Sequence, residues 1–114
     1  MADKPVRTFG PVALTTTLTT NVYNQGSALI YDLIRTIIVS NKTGSAATVS
    51  LWLGATGANA AGTEIMTAVS IPANTSVPFY YSPGLKMAST DFLVGGSGTT
   101  TALTITGMGV QAVV

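Results

Sequence analysis

The sequence predicts an all-β fold, an antiparallel β-sandwich or jelly-roll-like domain with an extended N-terminal arm. Three observations carry that prediction. Short runs rich in Thr, Val and Ile recur along the chain, several of them alternating apolar and polar residues. Gly, Asn and Pro separate the runs every several residues, where turns between strands need them. No stretch carries apolar residues at the 3.6-residue spacing of an amphipathic helix. About seven or eight short strands are expected, enough for two packed sheets. With 114 residues, the chain is read as a single domain.

Taken in order, residues 1–11 hold Pro5 and Pro11 and no periodicity, so they are read as the arm, with the sandwich spanning 12–114. Val12, Leu14, Thr16 and Leu18 alternate with Ala13, Thr15, Thr17 and Thr19, which predicts a first strand with a threonine face. Asn24 and Gly26 mark a loop over 21–27. Leu33 to Ser40 is apolar on both parities and predicts a central strand covered on both faces. Asn41 to Ser45 offers a hairpin turn, and the return strand Thr48 to Leu53 turns Val49, Leu51 and Leu53 inward and Trp52 outward. Gly54 to Thr63 reads as a long loop.

Glu64 to Ile71 resumes strand character until Pro72 ends it, with Asn74 in the turn. Val77, Phe79 and Tyr81 alternate with Ser76, Pro78 and Tyr80, and Pro78 places this strand at an edge or a bulge. Ser82-Pro83-Gly84-Leu85 fits a type II turn. Asp91 to Val94 predicts a short strand and Gly95-Gly96-Ser97-Gly98 the next turn. The last strand runs from Thr100 to Val113. Gly107 or Gly109 marks the bulge at which its inward parity changes.

The composition excludes most catalytic chemistry. There is no His and no Cys, hence no imidazole base, thiolate nucleophile, Ser–His–Asp triad, disulfide or Cys-based zinc site. The carboxylates Asp3, Asp32, Glu64 and Asp91 fall in separate elements without paired spacing. The chain is therefore read as non-enzymatic, with no cofactor and no metal. Its basic residues, Lys4, Arg7, Arg35, Lys42 and Lys86, are dispersed, which argues against nucleic acid as a partner. The most apolar stretch, Leu29 to Val39, is broken by Asp32 and Arg35 and falls short of the ~20 residues of a membrane helix. No secretory h-region opens the chain, and no membrane partner is expected.

Only 8% of residues are charged, against about 25% in ordinary soluble domains. Too few charges remain to clothe a solitary small domain, so a homo-oligomer is expected, a trimer first. The candidate contact residues are Arg7 and Phe9 as anchors of the arm, and Arg35 reaching from an apolar strand across a subunit boundary. Trp52 and Tyr80 join them as outward aromatics for a partner or a sugar ring.

Three stretches taken together resemble a group of small bacteriophage virion proteins. They are Arg35-Thr36-Ile37-Ile38-Val39-Ser40-Asn41-Lys42-Thr43, Val69-Ser70-Ile71-Pro72-Ala73-Asn74-Thr75-Ser76, and Gly84-Leu85-Lys86-Met87 leading to Asp91. Their order and spacing carry the resemblance, which covers residues from Ile30 to Val110 and leaves the arm and first strand outside. Where such proteins carry a glycine before the Asp91 position, this chain has Ser89-Thr90. The resemblance implies a structural protein of the virion, assembled in the host cytoplasm and present in many copies. Its first form is a capsid decoration (cement) protein bound to the major capsid protein or another virion protein. A neck, tail or baseplate component is the alternative. The rival from another class is a carbohydrate-binding sandwich using Trp52 and the tyrosines. Aromatics clustered on one exposed sheet face would favour sugar binding; aromatics at subunit contacts would favour assembly.

Overall fold

The computed structural model describes residues 3–18, 21–24, 29–54, 63–87, 91–99 and 102–113. Among them there are eight strands and no helix: β1 (Asp3–Ala13), β2 (Asn21–Asn24), β3 (Leu29–Asn41), β4 (Ala47–Gly54), β5 (Glu64–Ile71), β6 (Ser76–Met87), β7 (Phe92–Ser97) and β8 (Leu103–Val113). A first sheet has the order β1-β8-β3-β6 and a second the order β2-β7-β4-β5. Every pairing is antiparallel. Strand 1 pairs with 8, 2 with 7, 3 with 6 and 4 with 5. The chain is thus one long hairpin, closed at its β4–β5 end, whose successive pairs fall alternately in the two sheets.

One core lies between them. Ile34, Ile37 and Val39 of β3 and Leu103 and Ile105 of β8 meet Val49 and Leu51 of β4, Ile71 of β5 and Leu93 of β7. Each such side chain contributes roughly 1.5–3 kcal/mol on burial. β3 is central in its sheet, as expected, but it is not covered equally on both faces. Asp32 and Ile34 are buried before Arg35, and Ile37, Val39 and Asn41 after it. The register to both neighbouring strands slips at Arg35, so a bulge, which switches the inward parity, explains the unbroken apolar run.

The N-terminal segment is not an arm set apart from the domain. From Asp3 it pairs with β8 as the edge strand of the first sheet, and Phe9 enters the core. Register slips on either side of Phe9 remove its alternation, and an edge strand tolerates Pro5 and Pro11. Gly107 stands opposite Phe9, whose ring fills the space a side chain there would take.

Other local expectations change for similar reasons. The threonine-faced strand does not form: β1 ends at Ala13, and residues 14–18 cross between sheets. Leu14 N–H donates to the Leu103 carbonyl at 2.9 Å, and the Thr15 carbonyl accepts from Ser97 N–H at 2.9 Å. Asn21–Asn24, expected as loop, is β2. Gly95, Gly96 and Ser97, expected as a turn, are buried in β7. A Cβ on Gly96 would stand 2.7 Å from the Thr15 carbonyl oxygen and 2.9 Å from that of Thr17, so glycine admits the crossing segment. Ser82 to Leu85 stays within β6, where residues 81–84 bulge out opposite Arg35.

Asn41 to Ser45 joins strands of opposite sheets, making a corner and not a hairpin. The buried Asn41 side chain holds it. Its amide donates to the Ser45 carbonyl at 2.9 Å and the Ile71 carbonyl at 3.0 Å. Its oxygen accepts from Thr43 N–H at 2.9 Å and Thr43 Oγ1 at 2.7 Å. Residues 55–62 of the expected long loop, together with Thr19 and Thr20 of the threonine face, lie outside the described residues.

Candidate functional site

The outer face of the first sheet is the surface where sequence-predicted contact residues meet. With Ile37, Val39 and Ile105 turned inward, the alternate positions of β1, β8, β3 and β6 point out in cross-strand rows. Arg7, Met108, Thr36 and Tyr80 form one row. Thr106, Ile38 and Pro78 form the next, and Ala13, Thr104, Ser40 and Ser76 the third. Ser40 and Ser76 close the last row with a hydroxyl–hydroxyl bond of 2.8 Å. The second and third rows carry no charge. Tyr80, on the edge strand, is 76% exposed.

Beyond the Arg7 row the face turns cationic. Arg35 emerges from the bulge in β3, exposed, with Nε–H donating to the Pro83 carbonyl at 3.2 Å. The following row is Pro5, Val110, Leu33 and Lys86. Arg7, Arg35 and Lys86, dispersed in the sequence, therefore share one end of one face. Strand spacing puts the Arg7 and Arg35 backbones about 10 Å apart across β8, with Lys86 on the strand beyond. The dispersal read from the sequence thus does not persist in the fold. Lys86 had no local signal, because only the pairing of β3 with β6 brings it here.

Two expected contact residues stand elsewhere. Phe9 is only 6% exposed and stacks on Tyr23 with ring centroids 5.6 Å apart. It is a core residue, not an anchor on a neighbour. Trp52 is 8% exposed and belongs to the second sheet, paired with Val94. It was expected outward because Val49, Leu51 and Leu53 claim the inward parity, yet Ser50 and Trp52 on the other parity are also buried. Trp52 and Tyr80 consequently lie on different sheets and form no common aromatic platform.

A buried polar cluster ties the sheets together at Asp32, which has no exposed surface. Tyr23 Oη–H of β2 donates to one Asp32 carboxylate oxygen of β3. The other oxygen has no hydrogen-bond partner among the described residues. Burial raises the Asp32 pKa above its ordinary value, while Tyr23 and Gln111, the position paired with it on β8, pull it partly back. Burial also pushes the Tyr23 phenol up, and the bond to Asp32 adds to that.

A shallow groove of about 420 Å³ lies at the corner, lined by Ser40, Asn41, Lys42, Asn74, Thr75 and Ser76. Its Asn41 amide is already committed to the corner hydrogen bonds. Among the described residues no group of three or more carboxylates is placed to hold a metal ion.

Comparison with protein-family models, with curated proteins and with solved structures finds no match to this chain.

Proposed function

We propose that the chain is a non-enzymatic structural protein of a bacteriophage virion, a capsid decoration protein that acts as a homo-oligomer, a trimer first. The observation that carries this reading is the strand order β1-β8-β3-β6 opposite β2-β7-β4-β5. That order supports reading the two sheets as an eight-stranded jelly roll, an architecture used by viral capsid and lectin domains. The resemblance of residues Arg35 to Asp91 to small virion proteins points the same way.

A fold hosts many functions, so the choice between shell and sugar rests on the surface. Sugar rings stack on exposed aromatics, whereas Trp52 is buried in one sheet and Tyr80 stands on the other. That separation favours assembly. The edges are poorly suited to it: β1 carries Pro5 and Pro11, β6 carries Pro78 and Pro83, β2 has four residues, and β5 bulges at Ala68. The uncharged rows of Ile38, Pro78, Thr104 and Thr106 offer a face for contact between copies.

Sedimentation of the purified chain, alone and with undecorated phage heads, tests the reading. The expected result is a closed oligomer that loads heads in many copies, and that falls to folded monomers when Ile38→Glu places a charge in the neutral rows. A stable monomer at micromolar concentration that never joins a particle would overturn it.

A further inference from the structure

We infer that the cationic end of the first sheet's outer face is a docking site for an acidic protein surface. Arg7 on β1, Arg35 on β3 and Lys86 on β6 stand around Leu33, Val110, Met108 and Tyr80. Chemically this is a small apolar floor with an aromatic beside it and a positive rim, the composition of a protein contact. Three features make it a receptor for one kind of partner. The first is charge: three of the chain's five basic residues gather here, and Asp3, in register with Ala112 one row beyond Pro5, is the acidic position nearest to them in these rows. A partner must bring negative charge to match them.

The second is preparation. Arg35 is already held by its bond to the Pro83 carbonyl in the β6 bulge. Gly84 of that bulge lies so close to Leu33 and Arg35 that a Cβ there would meet their side chains at 3.2 and 3.4 Å. The bulge thus braces the guanidinium, and less freedom is lost when a carboxylate arrives. The third feature is number. Nucleic-acid sites commonly neutralise many phosphates along a strand, whereas this patch offers three cations around an apolar floor. It fits a cluster of Glu or Asp beside apolar residues better than a phosphate backbone.

The inference deepens the virion reading by giving the chemistry of the shell surface the protein would grip, and to that extent rests on it. Its test uses the ¹⁵N-labelled full chain titrated with a short synthetic peptide of Glu, Leu and Gly, followed by amide shifts. The same peptide with Gln for Glu and a single-stranded oligonucleotide of equal charge are run beside it. The expected shifts map to Arg7, Leu33, Lys86, Met108 and Tyr80 and weaken with added salt. Arg7→Glu with Lys86→Glu should lower affinity about tenfold, the scale of two lost surface ion pairs. Arg7→Lys with Lys86→Arg should retain it. No binding, shifts elsewhere, equal binding of the Gln peptide, or tighter binding of the oligonucleotide would each overturn the inference. Head-loading separates it from the virion reading. Charge-reversed chains that load heads at unchanged occupancy refute this site alone. A chain that binds the acidic peptide here yet joins no particle refutes the virion reading alone.

Discussion

Raising the pH should weaken this protein through Asp32, whereas most folded carboxylates act in the opposite sense. Asp32 has no exposed surface, one of its oxygens is unpartnered, and burial raises its pKa more than Tyr23 and Gln111 lower it. In the unfolded chain it titrates near its ordinary 3.8. Between that value and the elevated one, the folded state holds the proton more tightly than the unfolded state does. The stabilisation is therefore complete below the unfolded pKa and lost as pH rises through the folded pKa. Within that window the slope approaches about 1.4 kcal/mol per pH unit, or roughly 6–11 °C in Tm per pH unit for a domain near this size.

Asp32→Asn isolates the effect, because the amide still offers Tyr23 an acceptor but does not ionise. Urea unfolding of both proteins, stepped from about pH 4 to about pH 8, should show the variant gaining on wild type as pH rises, with up to that slope. Tyr23→Phe should cost about 1–3 kcal/mol by leaving Asp32 less satisfied. It should also move the window upward, since the lost bond favours the charged form. A wild-type-minus-variant difference that stays constant with pH, or grows in favour of wild type, refutes the reasoning.

Two further changes probe the elements that local sequence obscures. Phe9→Ala should cost about 3–5 kcal/mol as a buried aromatic is truncated, and deleting residues 2–10 should abolish cooperative melting. A deletion variant that melts like wild type would restore the detachable arm. Asn41→Ala removes four side-chain hydrogen bonds at a net of about 0.5–1.5 kcal/mol each, so about 2–6 kcal/mol should be lost in urea unfolding. A loss under about 1 kcal/mol would mean that the backbone bonds from Asn41 to Thr75 and from Lys42 to Ala102 hold the corner alone.

What was legible in the sequence was local, and this fold is mostly non-local. Alternation and turn residues marked β4, β5 and the start of β6, and Pro72 with Asn74 marked the turn between β5 and β6. Asn74 indeed takes a positive φ of 53°. Only β4 and β5 pair with an immediate chain neighbour; every other pairing joins distant segments. Alternation also fails wherever a bulge intervenes. The slip at Arg35 made a one-sided strand look two-sided, and the slips around Phe9 made an edge strand look like an arm.

Glycine carries a second ambiguity, because a turn and a close chain crossing demand the same residue. Gly95-Gly96 reads identically in both roles, and only the passage of Thr15 to Thr17 over β7 decides between them. The candidate site inherits both limits. Arg35 and Tyr80 were visible as odd residues in β-rich runs and Arg7 as an anchor of the expected arm, but their convergence with Lys86 depends on a register set by two bulges. Shifting β6 by one residue against β3 would carry Lys86 and Tyr80 to the inward face. The cationic patch is therefore a property of strand pairing, and the bulge over residues 81–84 that sets that pairing is as much part of the site as the charges it aligns.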